Sequence, residues 1–511
     1  MTVVLGVSAS LRNARFGRGS LELCEDIARI GDRDGLVAYL REQTKLRADS
    51  FFRAGRQEDL PFDEIYKNLR REKHPLGLSN SEAALVAGLW GAHQEGAEIR
   101  HLGLARHFPA DGSVRERDNL RTAVLEAEAI LLSGPVYFGD RGSLAQEFME
   151  FLREDSDVAA HVHNRVYAGI TVGAKRNGGQ ETTLIYQLVD ATNLNMLGVG
   201  NDSETTAQYG GTAVAGDVGT LAEDAYGIKT SISTGSRIAR IADKVSLGRS
   251  TAGEPEKTTI GVLLLQDAGN HRGREMVIKA CNEIADRAPY ADFRLIDCTE
   301  DEIYRCIACD VCPIDIGARK DYRCIITSKN DFFRNSHNDL VGIDALILAA
   351  YSPVNRSEVH SVYQRFIERT RYIRRDNYTL GDLIAAPLVI SEINSNQNLH
   401  IRMMTSLIRH HTVMHHPLIG MEYEGKVLNW DNLIEQGVSF VDNAENLMRA
   451  NILRTSQSEE SERRYNPVGY VISAEKQRVD IQTGRQDEVA RVRKDEAIVN
   501  LDRKRAANDA S

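Results

Sequence analysis

Ala129-Ile130-Leu131-Leu132-Ser133-Gly134-Pro135-Val136-Tyr137-Phe138-Gly139 is the stretch on which the fold turns. Ala129 to Leu132 is an apolar run without alternation, the pattern of a strand covered on both faces. Ser133-Gly134-Pro135 breaks the run. Tyr137 and Phe138 then set aromatic rings at its carboxyl end, where open parallel sheets bind their ligands. The pattern returns far down the chain as Ala345-Leu346-Ile347-Leu348-Ala349-Ala350-Tyr351-Ser352-Pro353-Val354. Each copy leads into a helix with an aromatic and acidic core, Gln146-Glu147-Phe148-Met149-Glu150 and Arg365-Phe366-Ile367-Glu368-Arg369. The chain therefore reads as two related halves.

A length of 511 residues accommodates this, since it suggests roughly two to four domains. The 42% hydrophobic and 27% charged content is that of a soluble globular protein. A formal net charge of -10 argues against a nucleic-acid partner. No apolar run approaches membrane-spanning length, so no membrane partner is expected. Met1-Thr2-Val3-Val4-Leu5-Gly6 lacks the basic flank of a signal peptide. Of the seven cysteines four cluster, which in a reducing cytoplasm points to metal or redox chemistry rather than disulfides. A cytoplasmic location is the expectation.

In the first half, Val3 to Val7 is a strand that enters Ser8-Ala9-Ser10-Leu11-Arg12-Asn13. Hydroxyls, an Arg and an Asn after a first parallel strand suit a phosphate, and they equally suit a polar turn. Residues about 20–78 break the strand–helix rhythm and read as a helical insertion, with helices at 21–30, 34–54 and 62–73, serving as a lid, a dimer contact or plain packing, the last two favoured. Ser79, Asn80 or Ser81 then caps a helix from Ala83 to Gly96. With the insertion inside the first strand–helix loop, that helix start returns to Ser8 and Arg12, giving a phosphate site split in sequence and whole in space. Glu98–Gly103 is a second strand and Val166–Val172 a later one. The latter delivers Gly173-Ala174-Lys175-Arg176-Asn177-Gly178-Gly179-Gln180-Glu181, a basic, glycine-rich loop able to approach a flat ligand. A helix at 181–193, a strand at Met196–Asn201, a flexible glycine-rich segment at Tyr209–Gly216 and a helix at Gly235–Val245 complete a doubly wound, five-stranded parallel sheet.

Together these loops resemble those of the NADPH-dependent FMN reductase family, which is flavodoxin-like in fold. The resemblance covers roughly residues 1–246 less the insertion, which is the main departure. It implies FMN as cofactor and NAD(P)H as co-substrate. By position, Ser8, Ser10 and Arg12, with Ser79, Asn80 and Ser81, would hold the phosphate. Pro135, Val136, Tyr137, Phe138 and Gly139 would lie against the isoalloxazine. Lys175, Arg176, Asn177, Gly178 and Gly179 would support its edge. The implied organisation is a flavodoxin-like FMN domain at 1–247, a linker at 248–258, a degenerate flavodoxin-like domain at 259–455 and a charged tail at 456–511.

The second half has lost the flavin features. Its first strand, Thr259–Leu265, enters Gln266-Asp267-Ala268-Gly269-Asn270-His271-Arg272-Gly273, where Asp267 would repel a phosphate. Val354-Asn355-Arg356 replaces the aromatic pair, and Asn394, Asn396 and Gln397 echo the basic loop without its charge. It has instead Cys306-x2-Cys309-x2-Cys312-x11-Cys324, with Pro313 after the third cysteine. Three thiols within seven residues, with a fourth close by, suit a [4Fe–4S] cluster, a zinc ion, or reduced thiols with no metal. The spacing resembles the compact motif of iron–sulfur flavoproteins, a branch of the same family, with a wider last gap. Cys24, Cys281 and Cys298 read as core residues. His410, His411, His415 and His416 could place two imidazoles on one helix face, or mark a polar helix end. In the tail, Tyr465–Ile481 reads as a hairpin or arm.

The function expected is an FMN-dependent NAD(P)H oxidoreductase, passing hydride to flavin N5 and on to an unknown small-molecule or protein acceptor. No catalytic side chain is required, because the flavin carries the chemistry. The alternatives are an iron–sulfur flavoprotein electron-transfer unit and a non-enzymatic flavin- or redox-sensing module. A homodimer is the expected assembly.

Overall fold

The computed structural model describes residues 2–11, 18–55, 60–71, 77–201, 208–255, 257–265, 271–299, 301–309, 324–354, 359–375, 379–395 and 398–450. Arg12, Asn13, Asp267, Asn270, Cys312, Asn355, Arg356, Asn396, Gln397 and the tail lie outside them. The described residues fall into two compact units. One comprises Met1–Ser203, Ala207–Ala252 and Val413–His416, and the other Gly253–Thr412 with the chain from Pro417 on.

In the first unit, β1 (Val3–Ser8) is followed by α1 (Arg18–Arg29), α2 (Arg33–Arg53) and α3 (Phe62–Arg71), then α4 (Asn80–Gln94). Next come β2 (Glu98–Gly103), α5 (Leu104–His107), α6 (Arg117–Leu125), β3 (Ala129–Tyr137), β4 (Asp140–Arg141), α7 (Ser143–Glu154) and α8 (Ser156–Val162). The unit continues with β5 (Val166–Gly173), α9 (Gln180–Asn193), β6 (Leu197–Gly198), β7 (Gly211–Val214) and α10 (Ala225–Ser250). The sheet order is β2-β1-β3-β5, with β6 and β7 both on the far side of β5, and these pairings are all parallel. Counting β6 and β7 as one interrupted strand, the order is 2-1-3-4-5, the flavodoxin-type order, with its switch point between β1 and β3.

The alternation of β1 explains the layering. Leu5 and Val7 face a core with Leu120, Val124, Phe148, Leu152 and Val158 from α6, α7 and α8. Gly6 faces Leu89 of α4 on the opposite side. Helix α4 is buried all round from Ser81 to Ala92, which is why its sequence shows no polar stripe. Helix α10 lies against it so closely that a Cβ on Gly235 would be 1.7 Å from the Gly88 carbonyl oxygen.

Two expectations are corrected. Tyr209–Gly216 is not simply a flexible segment, because its centre is β7, paired with Ile170–Gly173. And α10 runs on to Ser250, into the stretch expected to be linker.

The second unit has β8 (Thr258–Leu264), α11 (His271–Arg287), β9 (Ala291–Asp297), α12 (Phe332–Asn335), α13 (His337–Val341), β10 (Ala345–Ser352), α14 (Val359–Arg369) and α15 (Arg371–Arg375). It continues with β11 (Ile384–Glu392) and α16 (Leu399–Leu407). After β12 (Val413–Met414), which belongs with the first unit, it resumes at β13 (Leu418–Tyr423), β14 (Lys426–Val427) and α17 (Trp430–Arg449). Its strands run β9-β8-β10-β11-β13, all parallel, which is again 2-1-3-4-5. Phe332, Phe333, Phe366 and Tyr372 form an aromatic cluster between α12, α14 and α15.

Among the described residues no helix is long and apolar enough to cross a membrane.

Candidate functional site

The carboxyl edge of the first unit's sheet brings several of the expected residues together. Ser8 is level with Gly103 on one side and Ser133 on the other. The Ala9 N–H donates to the Ser133 carbonyl at 2.8 Å, and the Ser133 hydroxyl donates to the Ser81 carbonyl at 2.8 Å. That second bond ties β3 to the first turn of α4. Ser79 caps α4, its hydroxyl accepting from the Glu82 N–H at 3.3 Å. Ser8, Ser10, Ser79 and Ser81, all buried, thus lie with a helix N-terminus at the switch point, although the insertion separates them in sequence. Such a set suits an anionic oxygen group. Asn80 departs from its expected role. Its amide N–H donates to the Asp217 carbonyl at 2.8 Å and its oxygen accepts from the Leu221 N–H at 3.4 Å, so it braces the chain after β7.

Next to the cap is a polar contact that sequence reading missed. Glu82 Oε1 lies 3.2 Å from His101 Nε2, both side chains fully buried, and His101 Nδ1 is 3.0 Å from the Ser20 hydroxyl. An acid in the first turn of α4 complements the helix dipole. No spacing joins residues 20, 82 and 101, so no local signal announced them.

The aromatic stretch ends as a hairpin. Val136 pairs with Arg141 and Tyr137 with Asp140, leaving Phe138-Gly139 as a two-residue loop. Both loop residues have positive φ, 53° and 80°, as a type I′ turn requires. Tyr137 is 45% exposed and the Phe138 ring fully so. Pro135, Val136 and Gly139 are half-buried.

The basic loop meets this hairpin backbone to backbone. Gly179 has φ of +100°, and a Cβ there would lie 2.9 Å from Gly139 Cα and 3.2 Å from Val136 Cγ1. The Gly178 N–H donates to the Lys175 carbonyl at 3.1 Å, closing a turn with Asn177 at φ 60°. Gln180 points inward, donating to the carbonyls of Lys175 (2.8 Å) and Ala213 (3.2 Å) and accepting from the Gly178 N–H (2.8 Å).

Arg176 also departs from its expected role. It donates to the Thr212 carbonyl at 2.9 Å, pairs with Asp224 at 2.5 Å and lies 4.6 Å from the Tyr226 ring centroid. Its charge is therefore spent on holding the loop to β7 and α10. Lys175 stays exposed, with no ion pair among the described residues, and is the loop's remaining cation.

The corresponding edge of the second unit is acidic. Buried Glu422 accepts from the Tyr351 hydroxyl at 2.9 Å, from Arg272 and from the Gly425 N–H. Glu392 accepts from the Val354 N–H at 2.8 Å.

Cys306, Cys309 and Cys324 are partly buried free thiols. Burial raises the Cys324 thiol, nearby Arg369 pulls it down, and Cys309 pushes it up again. Among the described residues no group of three side chains is gathered to hold a metal ion. The chemistry of the thiol donors fits iron–sulfur or zinc, and the expected set includes Cys312, which lies outside the described residues. Cys24, Cys281 and Cys298 are buried, as core residues.

The histidine run is not one helix face. Ile408–His410 is a single 3-10 turn, His411 is left-handed at φ 59°, and Val413–Met414 is β12. His415 donates to the His416 carbonyl at 3.0 Å and His416 to the Thr192 carbonyl at 2.8 Å.

The first unit is thus a parallel α/β sheet whose carboxyl edge carries buried hydroxyls, a helix start, a glycine contact and two exposed rings. No family model matches the chain. An iron–sulfur flavoprotein of Methanocaldococcus jannaschii is 34% identical over 124 residues, which is 24% of this chain and 63% of that protein. The chain thus spans less than two thirds of that relative's length. A solved flavodoxin, WrbA-like protein of Agrobacterium tumefaciens is similar over 32% of this chain and 90% of its own, at 21% identity and a TM-score of 0.25.

Proposed function

We propose that the chain is an FMN-dependent NAD(P)H oxidoreductase whose first unit holds the flavin. The observation that carries this reading is the contact of Gly179 with Gly139 beside the exposed Tyr137 and Phe138, beyond the carboxyl ends of β3 and β5 in a 2-1-3-4-5 sheet. A Cβ at Gly179 would run into Gly139 and Val136, so glycine is what lets the two loops meet. FMN, when bound, supplies two-electron exchange between a nicotinamide and an acceptor. Ser8, Ser10 and the start of α4 bind its phosphate, with Arg12 assigned there from its place in the sequence. Tyr137 and Phe138 line the ring. Lys175 supplies positive charge near the ring edge, and Arg176 positions the loop that presents it. The second unit is read as a related copy that binds no flavin, because Glu392 and Glu422 place carboxylates at its corresponding edge.

A second reading, an iron–sulfur electron-transfer unit, is favoured by the partly buried free thiols of Cys306, Cys309 and Cys324 and by the named flavoprotein relative. One absorbance spectrum of anaerobically purified protein, before and after NADPH, separates the two. Flavin bands that NADPH bleaches support the reductase, and an added broad brown absorbance with iron and sulfide supports the second. Protein that is colourless, and stays so after incubation with FMN, refutes both. Gly179→Val should lower FMN occupancy at least about tenfold, since the loop contact and the positive φ are both lost. Unchanged occupancy would move the flavin elsewhere.

A further inference from the structure

Arg369 is one of the largest fully buried side chains of the second unit, and its position has a counterpart in the first. Phe148 stands thirteen residues after Pro135 and Phe366 thirteen after Pro353, both buried. Three residues further on, the first unit has buried Phe151 and the second has Arg369. A helix position that carries an aromatic ring in one unit therefore carries a guanidinium in the other. A buried cation is costly unless it is paired and hydrogen-bonded, so its partners show what it does.

Those partners lie in the two arms of the cysteine segment. Arg369 makes a bidentate pair with Asp331, both bonds 2.9 Å, and neither side chain is exposed to solvent. It donates a third bond to the Tyr304 carbonyl at 3.1 Å, two residues before Cys306. Its guanidinium carbon lies 5.0 Å from the centroid of the Phe333 ring. Asp331 caps α12, seven residues after Cys324. The arms also meet directly. The Glu302 N–H donates to the Asn330 carbonyl at 2.9 Å and the Phe332 N–H to the Glu302 carbonyl at 3.0 Å. Arg369 thus joins the arm before Cys306 to the arm after Cys324.

We propose that Arg369, through Asp331 and Tyr304, is a positioning residue that clamps both arms of the cysteine segment and holds Cys306, Cys309 and Cys324 in a fixed arrangement. Its service to a metal centre rests on the metal reading of those cysteines. The clamp itself rests on the hydrogen bonds.

The test uses the full chain purified anaerobically, as wild type, Arg369→Met, Arg369→Lys and the double variant Arg369→Met with Asp331→Leu. The double variant removes both charges, so no lone buried charge threatens the fold. Two quantities are measured. One is bound iron and zinc. The other is the alkylation rate of each cysteine by iodoacetamide after chelation, read by mass spectrometry. Arg369→Met and the double variant should alkylate at Cys306, Cys309 and Cys324 about tenfold faster than wild type, with buried Cys24 and Cys281 unchanged as internal controls. Metal content should fall in both, and Arg369→Lys should recover part of the wild-type protection. Wild-type alkylation rates and metal content in the double variant would overturn the clamp. A wild-type protein with neither iron nor zinc, whose variants still alkylate faster, would uphold the clamp and overturn the metal reading alone.

Discussion

The carboxyl edges of the two sheets start from the same plan and end differently. In each unit the third strand is buried through a serine with a proline close behind it, Ser133-Gly134-Pro135 in one and Ser352-Pro353 in the other. After Pro135 the chain turns in two residues and leaves two rings in solvent. After Pro353 the next N–H goes to Glu392, while Glu422 draws in Tyr351, Arg272 and Gly425. The first edge keeps backbone and rings available to a ligand, and the second directs its polar groups at one another. Strand order fixes where a site can form, and the side chains at the strand ends decide whether one does.

Acid offers the largest test of how far the units behave alike, because each carries a buried imidazole held far below its ordinary pKa. Burial pushes His415 in the first unit down to about 3, and burial with the charges of Arg374 and Arg409 pushes His410 in the second down to about 3. A depressed imidazole means that the unfolded chain takes the proton first. The stability from neutral burial is therefore fully present above the ordinary value of 6.5 and is lost as pH falls from there toward about 3. Each group should lose about 2 kcal/mol by pH 5. Urea midpoints at pH 7 and pH 5 should show the loss, and His410→Gln or His415→Gln should each remove its own share of the slope. A slope altered by only one of the two variants would break the symmetry.

Glu422→Ala sharpens the comparison from the second unit's side. It should cost about 2 kcal/mol, less than a fully buried pair, because Arg272 is half-exposed and can turn to water. If this edge binds no flavin, the flavin-to-protein ratio should not move. A changed ratio would show that both edges are used.

What could be read from sequence divides along the same line. Buried strands such as Ala129–Leu132 and Ala345–Ala350 announce themselves as apolar runs, because both faces are covered. Ser79-Asn80-Ser81 announces a helix start because capping is local, and the structure gives the cap to Ser79. Arg176 and Asn80 could not be judged this way, since what occupies them lies at Thr212, Asp224, Asp217 and Leu221. In the sequence Arg369 only closes the Arg365–Arg369 helix stretch, and its pairing with Asp331 gives it a role. Strand β7 hid behind its glycines, which packing against Gly169 and Ile170 requires.

The smallest effect tests the hairpin itself. Phe138 occupies the first loop position of a type I′ turn, with φ 53°, where Asn, Asp or Gly is the usual residue. Its ring gains nothing by burial, since it is fully exposed. For the fold alone the residue is a poor choice, costing about 1 kcal/mol in backbone strain. Phe138→Asn creates the favoured Asn-Gly loop and should raise stability by about 1 kcal/mol, read from urea unfolding of the flavin-free protein. Nothing in the second unit should change. If the ring serves the flavin site, the same variant should bind FMN more weakly, so stability and affinity should move in opposite directions. A variant gaining stability with unaltered FMN affinity would leave the ring outside the flavin site, and one losing stability would mean that Phe138 packs against a surface in solution.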